Sequence, residues 1–199
     1  MAKKRKFVCY RRLERPYTRY SKFRSKSFVR ARPPCRTVRF DMGADDKQYD
    51  YQLELKSKAA LQIRDRALEA GRQACNRLME AKVGKKEFKF KVMVYPHHVL
   101  RENPLASGAG ADRMSTGMKH SFGKPIGIAA QVKKGQVLYR LQVQAKHLDL
   151  AKQAIKKAGF KVPCSVSLEI AKLGANNKVA PAIAKMTTAV PSTEAVAQA

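Results

Sequence analysis

Alternation is the tightest constraint in this chain. Glu87-Phe-Lys-Phe-Lys-Val-Met-Val-Tyr95 puts Phe88, Phe90, Val92 and Val94 on one side of an extended backbone and Lys89 and Lys91 on the other. Strand side chains point to opposite faces in turn, so this pattern predicts a half-buried strand. Ile126, Ile128, Ala130 and Val132 alternate again. After Lys133-Lys134-Gly135, so do Val137, Tyr139, Leu141 and Val143. Two such runs joined by a short turn containing Gly predict a hairpin. Between the first run and the second, Asn103 to Gly123 is rich in Gly, Ser and Ala and has no period. A loop of that length inside a compact domain is uncommon, and is usually either functional or disordered.

Two helices are predicted. Ala60, Leu61, Ala67, Leu68, Ala74, Cys75, Leu78 and Met79 recur at helical spacing over 57–81, with Ser57 as the starting cap and Gly84 past the end. Arg64, Arg72 and Arg77 lie largely off that stripe, facing either phosphate or solvent. Leu148, Ala151, Ile155 and Ala158 mark a second helix over 146–158, stopped by Gly159. Short strands are expected at Arg36–Phe40 and Phe160–Ile170, and the acid-rich 41–56 reads as a solvated linker. Helices and antiparallel strands in mixed order predict an α+β fold. The expected architecture is a compact domain over 37–172, with a mixed or antiparallel sheet, two amphipathic helices and a long internal loop over 101–123. An extended basic arm (1–36) precedes it and a weakly ordered tail (173–199) follows.

Charge decides the partner. The chain has 199 residues with 42 Lys+Arg against 15 Asp+Glu, a formal net charge of +27. Self-repulsion of that size destabilises a compact state unless a polyanion neutralises it. No apolar run approaches the roughly 20 residues of a spanning helix, and the basic start has no apolar stretch behind it to form a secretory signal. Membrane is therefore set aside in favour of nucleic acid. Residues 1–40 hold 15 Lys+Arg and a single acid, Glu14, interleaved with Phe7, Tyr10, Tyr17, Tyr20, Phe23 and Phe28. Cations that neutralise phosphate and rings that stack on unpaired bases suit an arm that orders on RNA. Its candidate contacts are Arg5, Arg11, Arg12, Arg15, Tyr17, Arg19, Lys22, Arg24, Arg30 and Arg32. In the long loop, glycines allow close backbone approach, and Arg101, Arg113, Lys119 and Lys124 are candidate phosphate ligands.

No catalytic residue, metal ligand set or cofactor site is expected. Cys9, Cys35, Cys75 and Cys164 lack the close pairing that zinc requires and read as reduced thiols. Gly108-Ala-Gly110 begins like a dinucleotide fingerprint, but Arg113 stands where the third Gly belongs. Gly117 to Lys124 has one residue too many for a phosphate loop, and Pro125 replaces the magnesium-binding hydroxyl. His97-His98 has no motif around it, and reads as packed or RNA-contacting.

Ala111-Asp-Arg-Met-Ser-Thr-Gly-Met-Lys-His-Ser-Phe-Gly-Lys-Pro125 closely resembles the signature segment of a universal large-subunit ribosomal protein family. The family is L-sixteen in bacteria and the L-ten-e type in archaea and eukaryotes. Tyr95-Pro-His-His-Val-Leu-Arg101, Gly135-Gln-Val137, Arg15-Pro-Tyr-Thr-Arg19 and Val38-Arg-Phe-Asp-Met-Gly43 extend the likeness, the last two towards the archaeal and eukaryotic type. It covers roughly residues 5–170 in consistent order. The resemblance implies a structural constituent of the large subunit, in the cytoplasm, bound to rRNA between the central protuberance and the stalk base. Its partners would be large-subunit rRNA in the 5S rRNA vicinity, neighbouring ribosomal proteins, and A- and P-site tRNA. The long loop would point to the peptidyl-transferase centre and help position tRNA, with Asn103, Ser107, Gly108, Gly110, Asp112, Arg113, Met114 and Gly117 nearest the tRNA. Peptide-bond chemistry would belong to the RNA. A free RNA-binding or RNA-modifying factor is the other reading of the same charge.

Overall fold

The computed structural model describes residues 5–18, 22–27, 29, 33–45, 47–103 and 121–173. Elements are numbered along the chain. Among the described residues, five strands form one antiparallel sheet in the order β1 (Asp41–Gly43), β4 (Phe88–Val92), β7 (Val137–Val143), β2 (Tyr51–Ser57), β8 (Val166–Lys172). Three more form a second antiparallel sheet, with β6 (Lys124–Val132) between β3 (Leu61–Arg64) and β5 (His98–Glu102). Helices α1 (Asp65–Lys82) and α2 (Leu148–Gly159) pack on each other and on these sheets. This is the α+β class expected from the sequence.

The alternating runs supply the core. Phe88, Phe90, Val92 and Val94 are all buried, as are Leu53 and Leu55 of β2 and Tyr139 and Leu141 of β7. Leu68, Cys75 and Met79 of α1 and Ala151, Ala154, Ile155 and Ala158 of α2 close over them. Each large apolar side chain removed from water contributes about 1.5–3 kcal/mol. Burial pushes the Cys75 thiol up to about 12, so it stays protonated. The helices approach closely because α1 has Gly71 where it crosses Tyr139 and Ala158; a Cβ at 71 would lie 2.4 Å from the Tyr139 hydroxyl oxygen. That hydroxyl donates to the Leu68 carbonyl at 2.8 Å.

On the outer face of the five-stranded sheet the charges are largely matched. Arg140 pairs with Glu54 at 2.9 Å, Lys56 with Glu169 at 2.5 Å, Lys89 with Asp45 at 3.0 Å and Lys91 with Asp41 at 2.9 Å. Arg72 likewise holds Glu69 with both terminal and Nε nitrogens, at 2.6 and 2.8 Å, rather than facing solvent alone.

Several local expectations are corrected. The 41–56 segment is not a solvated linker: Tyr51–Ser57 is the strand between β7 and β8. Its Leu53 and Leu55 alternate inward while Gln52, Glu54 and Lys56 meet partners on the outer face. Helix α1 starts at Asp65, because Leu61–Arg64 is extended and paired with β6, and Ser57 ends β2 instead of capping a helix. The runs at 126–132 and 137–143 are both strands but not a hairpin. β6 pairs β3 and β5, β7 pairs β2 and β4, and the turn carries the chain from one sheet to the other. His98–Glu102 is a strand although its sequence shows no period. The first ladder is at 41–43 rather than 36–40, and the last strand runs 166–172, because Phe160, Lys161 and Val162 donate backwards into turns that continue α2.

Candidate nucleic-acid interface

The three-stranded sheet has two unlike faces. Leu61, Ile63, Ala130 and Val132 turn into the main core. The opposite parity carries Gln62, Arg64, Ala129, Gln131 and His98, aligned by the pairs Gln62↔Gln131, Arg64↔Ala129 and His98↔Ala129. Residues 5–18 of the arm lie across this polar face. Gln62 Nε2 donates to the Arg12 carbonyl, Gln131 Nε2 to the Glu14 carbonyl at 2.7 Å and Arg64 Nη1 to the Arg5 carbonyl at 3.0 Å. The sheet thus holds the arm by backbone oxygens. That leaves the side chains of Arg5, Arg11, Arg12 and Arg15 exposed.

His98 fixes the far end of this seat. It is 3% exposed, and its Nδ1 accepts the Tyr17 backbone N–H at 2.8 Å. The ring proton therefore sits on Nε2. Tyr17 in turn accepts the Val99 N–H at 3.2 Å, so the arm pairs with β5 for one rung. Burial, helped by the nearby charges of His97 and Arg101 and opposed by Glu14, holds the His98 pKa below its usual value.

The root of the long loop joins the same surface. Arg101 lies 3.7 Å from the Phe122 ring centroid and 5.1 Å from that of Tyr17, and its Nη1 donates to the Phe122 carbonyl at 2.8 Å. The Tyr17 and Phe122 rings meet edge to face at 5.4 Å. Arg5 pairs with Glu102, which stands opposite Lys124 in the last rung before the loop. Gly123 has φ +81° and lets the two loop ends close against each other.

Comparison with known proteins decides the family. The family described as ribosomal protein L16p/L10e matches residues 14–169. The chain belongs to this family. It is 40% identical over 163 residues to the large ribosomal subunit protein uL16 of Archaeoglobus fulgidus, covering 82% of this chain and 90% of that one. The uL16 of Methanococcus maripaludis is 41% identical, with 82% and 92% covered, and that of Thermofilum pendens 42%, with 78% and 89% covered. This L16p/L10e protein is thus of the archaeal type, a protein of the large ribosomal subunit in the cytoplasm.

Of the residues singled out from sequence, the fold brings Arg5, Arg11, Arg12, Arg15, Tyr17, Arg101 and Lys124 to the three-stranded sheet and its loop root. Arg11 packs over the Phe7 ring at 5.7 Å. Asn103 borders a cavity there. Lys22 is exposed in a separate part of the arm, and Arg24 belongs to a short 3-10 turn. Arg19, Arg30, Arg32, Ser107, Gly108, Gly110, Asp112, Arg113, Met114, Gly117 and Lys119 lie outside the described residues. Gln62, Gln131, Glu102 and Phe122 were not anticipated as parts of this surface. Gln62 and Gln131 fill the polar positions of an ordinary alternation, between Leu61 and Ile63 and between Ala130 and Val132, so the sequence marks a polar face there but not what it holds. Among the described residues no three His, Cys, Asp or Glu side chains gather as metal ligands, and no helix is long and apolar enough to cross a membrane.

Proposed function

We propose that this L16p/L10e protein is a structural, non-catalytic, rRNA-binding constituent of the large subunit whose arm and loop act as one contact surface. The observation that carries the reading is the seating of the arm on the polar face of the three-stranded sheet. It is joined to the loop root through Arg5–Glu102 and Tyr17–Arg101–Phe122. Acids match bases on the five-stranded sheet, whereas the arm's basic side chains project with few acids beside them. A protein that neutralises phosphate needs unmatched charge of this kind.

In this reading the arm (1–36) and the domain (37–172) bind rRNA near the central protuberance, the stalk base and the 5S rRNA. The segment between β5 and β6, which starts after Glu102 rather than at Arg101 because Arg101 and Glu102 are paired in β5, reaches towards the peptidyl-transferase centre and helps position A- and P-site tRNA. Arg113, Lys119 and Lys124 meet RNA there, and the peptide bond is made by RNA. The resemblance to the family's signature segment supports the direction of the loop.

Sucrose-gradient sedimentation of cell extract in moderate and then high salt tests the first part. The expected outcome is stoichiometric presence in the large-subunit peak at both salts. Recovery mainly in light fractions would instead indicate a free RNA-binding factor. Deleting residues 103–117 tests the second part: the domain keeps cooperative unfolding while tRNA-dependent activity falls. Unchanged activity would remove the loop from tRNA positioning.

A further inference from the structure

Charge is divided between the two ends of the five-stranded sheet. At the end where β2 starts and β7 and β8 finish, acids stand with partners. Glu87 holds Lys47 at 2.5 Å, Asp149 holds Lys152 at 2.9 Å, and Asp50 Oδ2 accepts the Ala145 N–H at 2.8 Å. The segments that reach the other end, 55–64, 124–148 and 150–168, contain no Asp or Glu. Backbone hydrogen bonds stitch their turns together there. Gly135 N–H donates to the Ser57 carbonyl at 2.7 Å and Lys58 N–H to the Ser165 carbonyl at 3.0 Å. The last turn of α2 sits over the same end, since a Cβ at Gly159 would lie 3.1 Å from the Val166 side chain. Lys58, Lys133, Lys134, Lys156, Lys157 and Lys161 are thereby gathered at one end of the domain. Among the described residues none of them is in an ion pair, whereas Lys56 and Arg140, further along the sheet, are matched by Glu169 and Glu54.

An aromatic ring stands among these cations. Phe160 follows Lys156 and Lys157, precedes Lys161, and is 67% exposed. Its N–H donates to the Lys156 carbonyl at 3.2 Å, and the next residue but one, Val162, is buried in the core. The ring is thus carried on an anchored helical turn. Lys156 and Lys157 also suit the negative end of the α2 dipole, but Lys58, Lys133, Lys134 and Lys161 lie past that turn and gain nothing from it. Unmatched cations around an exposed ring are what a nucleic-acid strand needs, with phosphates neutralised and a base stacked. The surface begins where the arm seat stops, because Lys133 and Lys134 border a groove shared with Leu13 and Pro16 of the arm.

We propose that this acid-free end of the domain is a second RNA contact, outside the arm and the loop, in which the lysines neutralise phosphates and the Phe160 ring stacks on an unpaired base. The inference rests on the rRNA-binding reading above and adds to it a place on the folded domain where RNA is held. It also accounts for the division of charge: the acids are kept at the far end of the strands, away from the phosphates.

The test titrates the full chain against purified large-subunit rRNA over a range of salt. Every substituted side chain is exposed, so the variants keep the fold. Combined Lys156→Gln, Lys157→Gln and Lys161→Gln should flatten the log–log slope by about 2–3, at about 0.7–0.9 for each phosphate no longer neutralised. Phe160→Leu should weaken binding by about 5- to 150-fold at an unchanged slope, the factor carried by one stacked base, and Phe160→Tyr should keep wild-type affinity. A lysine variant with the wild-type slope would overturn the site while leaving rRNA binding by the arm standing. Equal affinity of Phe160→Leu and wild type would overturn the stacking. In intact large subunits, a benzophenone amino acid in place of Lys161 should crosslink to RNA; crosslinks only to a neighbouring protein would show that an acidic protein segment covers this end and would overturn the proposal. If the wild-type chain does not bind the rRNA, the rRNA-binding reading falls and takes this one with it.

Discussion

Gly123 and Gly135 form a matched pair for measuring how tightly the loop is closed. They stand at the two ends of β6 with nearly equal backbones, φ +81° and +80°. Alanine at either position takes on left-handed strain of about 1–2 kcal/mol. At Gly135 nothing lies within 4 Å of the new Cβ, so strain is the whole cost. At Gly123 the Cβ would lie 2.7 Å from the Glu102 carbonyl carbon, 2.8 Å from its oxygen and 2.9 Å from the Asn103 nitrogen. All three are backbone atoms, so no side-chain rotation relieves the collision, and overpacking adds about 1–3 kcal/mol. Gly123→Ala therefore costs about 2–5 kcal/mol against about 1–2 for Gly135→Ala. The extra strain is relieved by opening the rungs Arg101↔Pro125 and Glu102↔Lys124. Urea unfolding measures the difference, and native-state hydrogen exchange locates it. Amides at 101–103 and 124 should exchange about 5- to 150-fold faster in Gly123→Ala than in Gly135→Ala, the factor that 1–3 kcal/mol implies. Equal costs in the two variants, or unchanged exchange at those amides, would refute the closure argument.

Three further outcomes are expected. Removing residues 1–36 should flatten the salt dependence of RNA binding by about 0.7–0.9 in log–log slope for each phosphate the arm neutralises, and an unchanged slope in a salt titration would exclude the arm as a major RNA-binding element. His98 is neutral in the folded seat with its pKa held down, mainly by burial. Its contribution is complete above the unfolded value of 6.5 and is lost as pH falls through that value to the folded one, so the Tyr17 amide should exchange faster relative to the core at pH 5.5 than at 7.5, a trend that His98→Phe should abolish. Gly71→Ala should destabilise by up to about 2 kcal/mol, the overpacking of about 1–3 kcal/mol at the 2.4 Å approach to Tyr139 less the roughly 1 kcal/mol by which Ala favours a helix interior. In a Tyr139→Phe background that cost should shrink, and additive costs in the thermal unfolding cycle would refute the close approach.

The clearest strands in the sequence are long runs with one face apolar and the other polar. Phe88–Val92 and Val137–Val143 declare themselves by side-chain period alone. Their partners do not, because pairing is tertiary: β6 and β7 are separated by a short turn yet belong to different sheets. Gly135 N–H donates to the Ser57 carbonyl at 2.7 Å and Ser57 N–H to the Gln136 carbonyl at 3.0 Å, so the end of β2 occupies the place a hairpin turn would need. β3 was hidden because Leu61 also fits the helical stripe that follows, and β2 because the acids leading into it, Asp41 to Asp50, draw attention from the alternation of Leu53 and Leu55. The candidate interface divides the same way. Arg101 and Tyr17 were legible as residue types, whereas the amide-to-carbonyl bonds that seat the arm leave no periodic trace. Side chains such as Gln62 and Gln131 take their meaning from carbonyls 50 and 117 positions away in the chain.

The placement of β6 has a mechanical consequence. It begins at the loop and runs for nine residues between two antiparallel neighbours, paired with β5 over its first part and with β3 over its last. A pull on the loop along this strand loads both ladders in shear, so their hydrogen bonds share the force instead of parting one at a time. What remains passes through the Lys133–Gly135 corner into β7, the middle strand of the larger sheet, and by hydrogen bond into the end of β2 beside it. Displacement at the loop tip is thereby converted into tension across the whole domain, and the arm clamped on the polar face of β6 stiffens that line against bending.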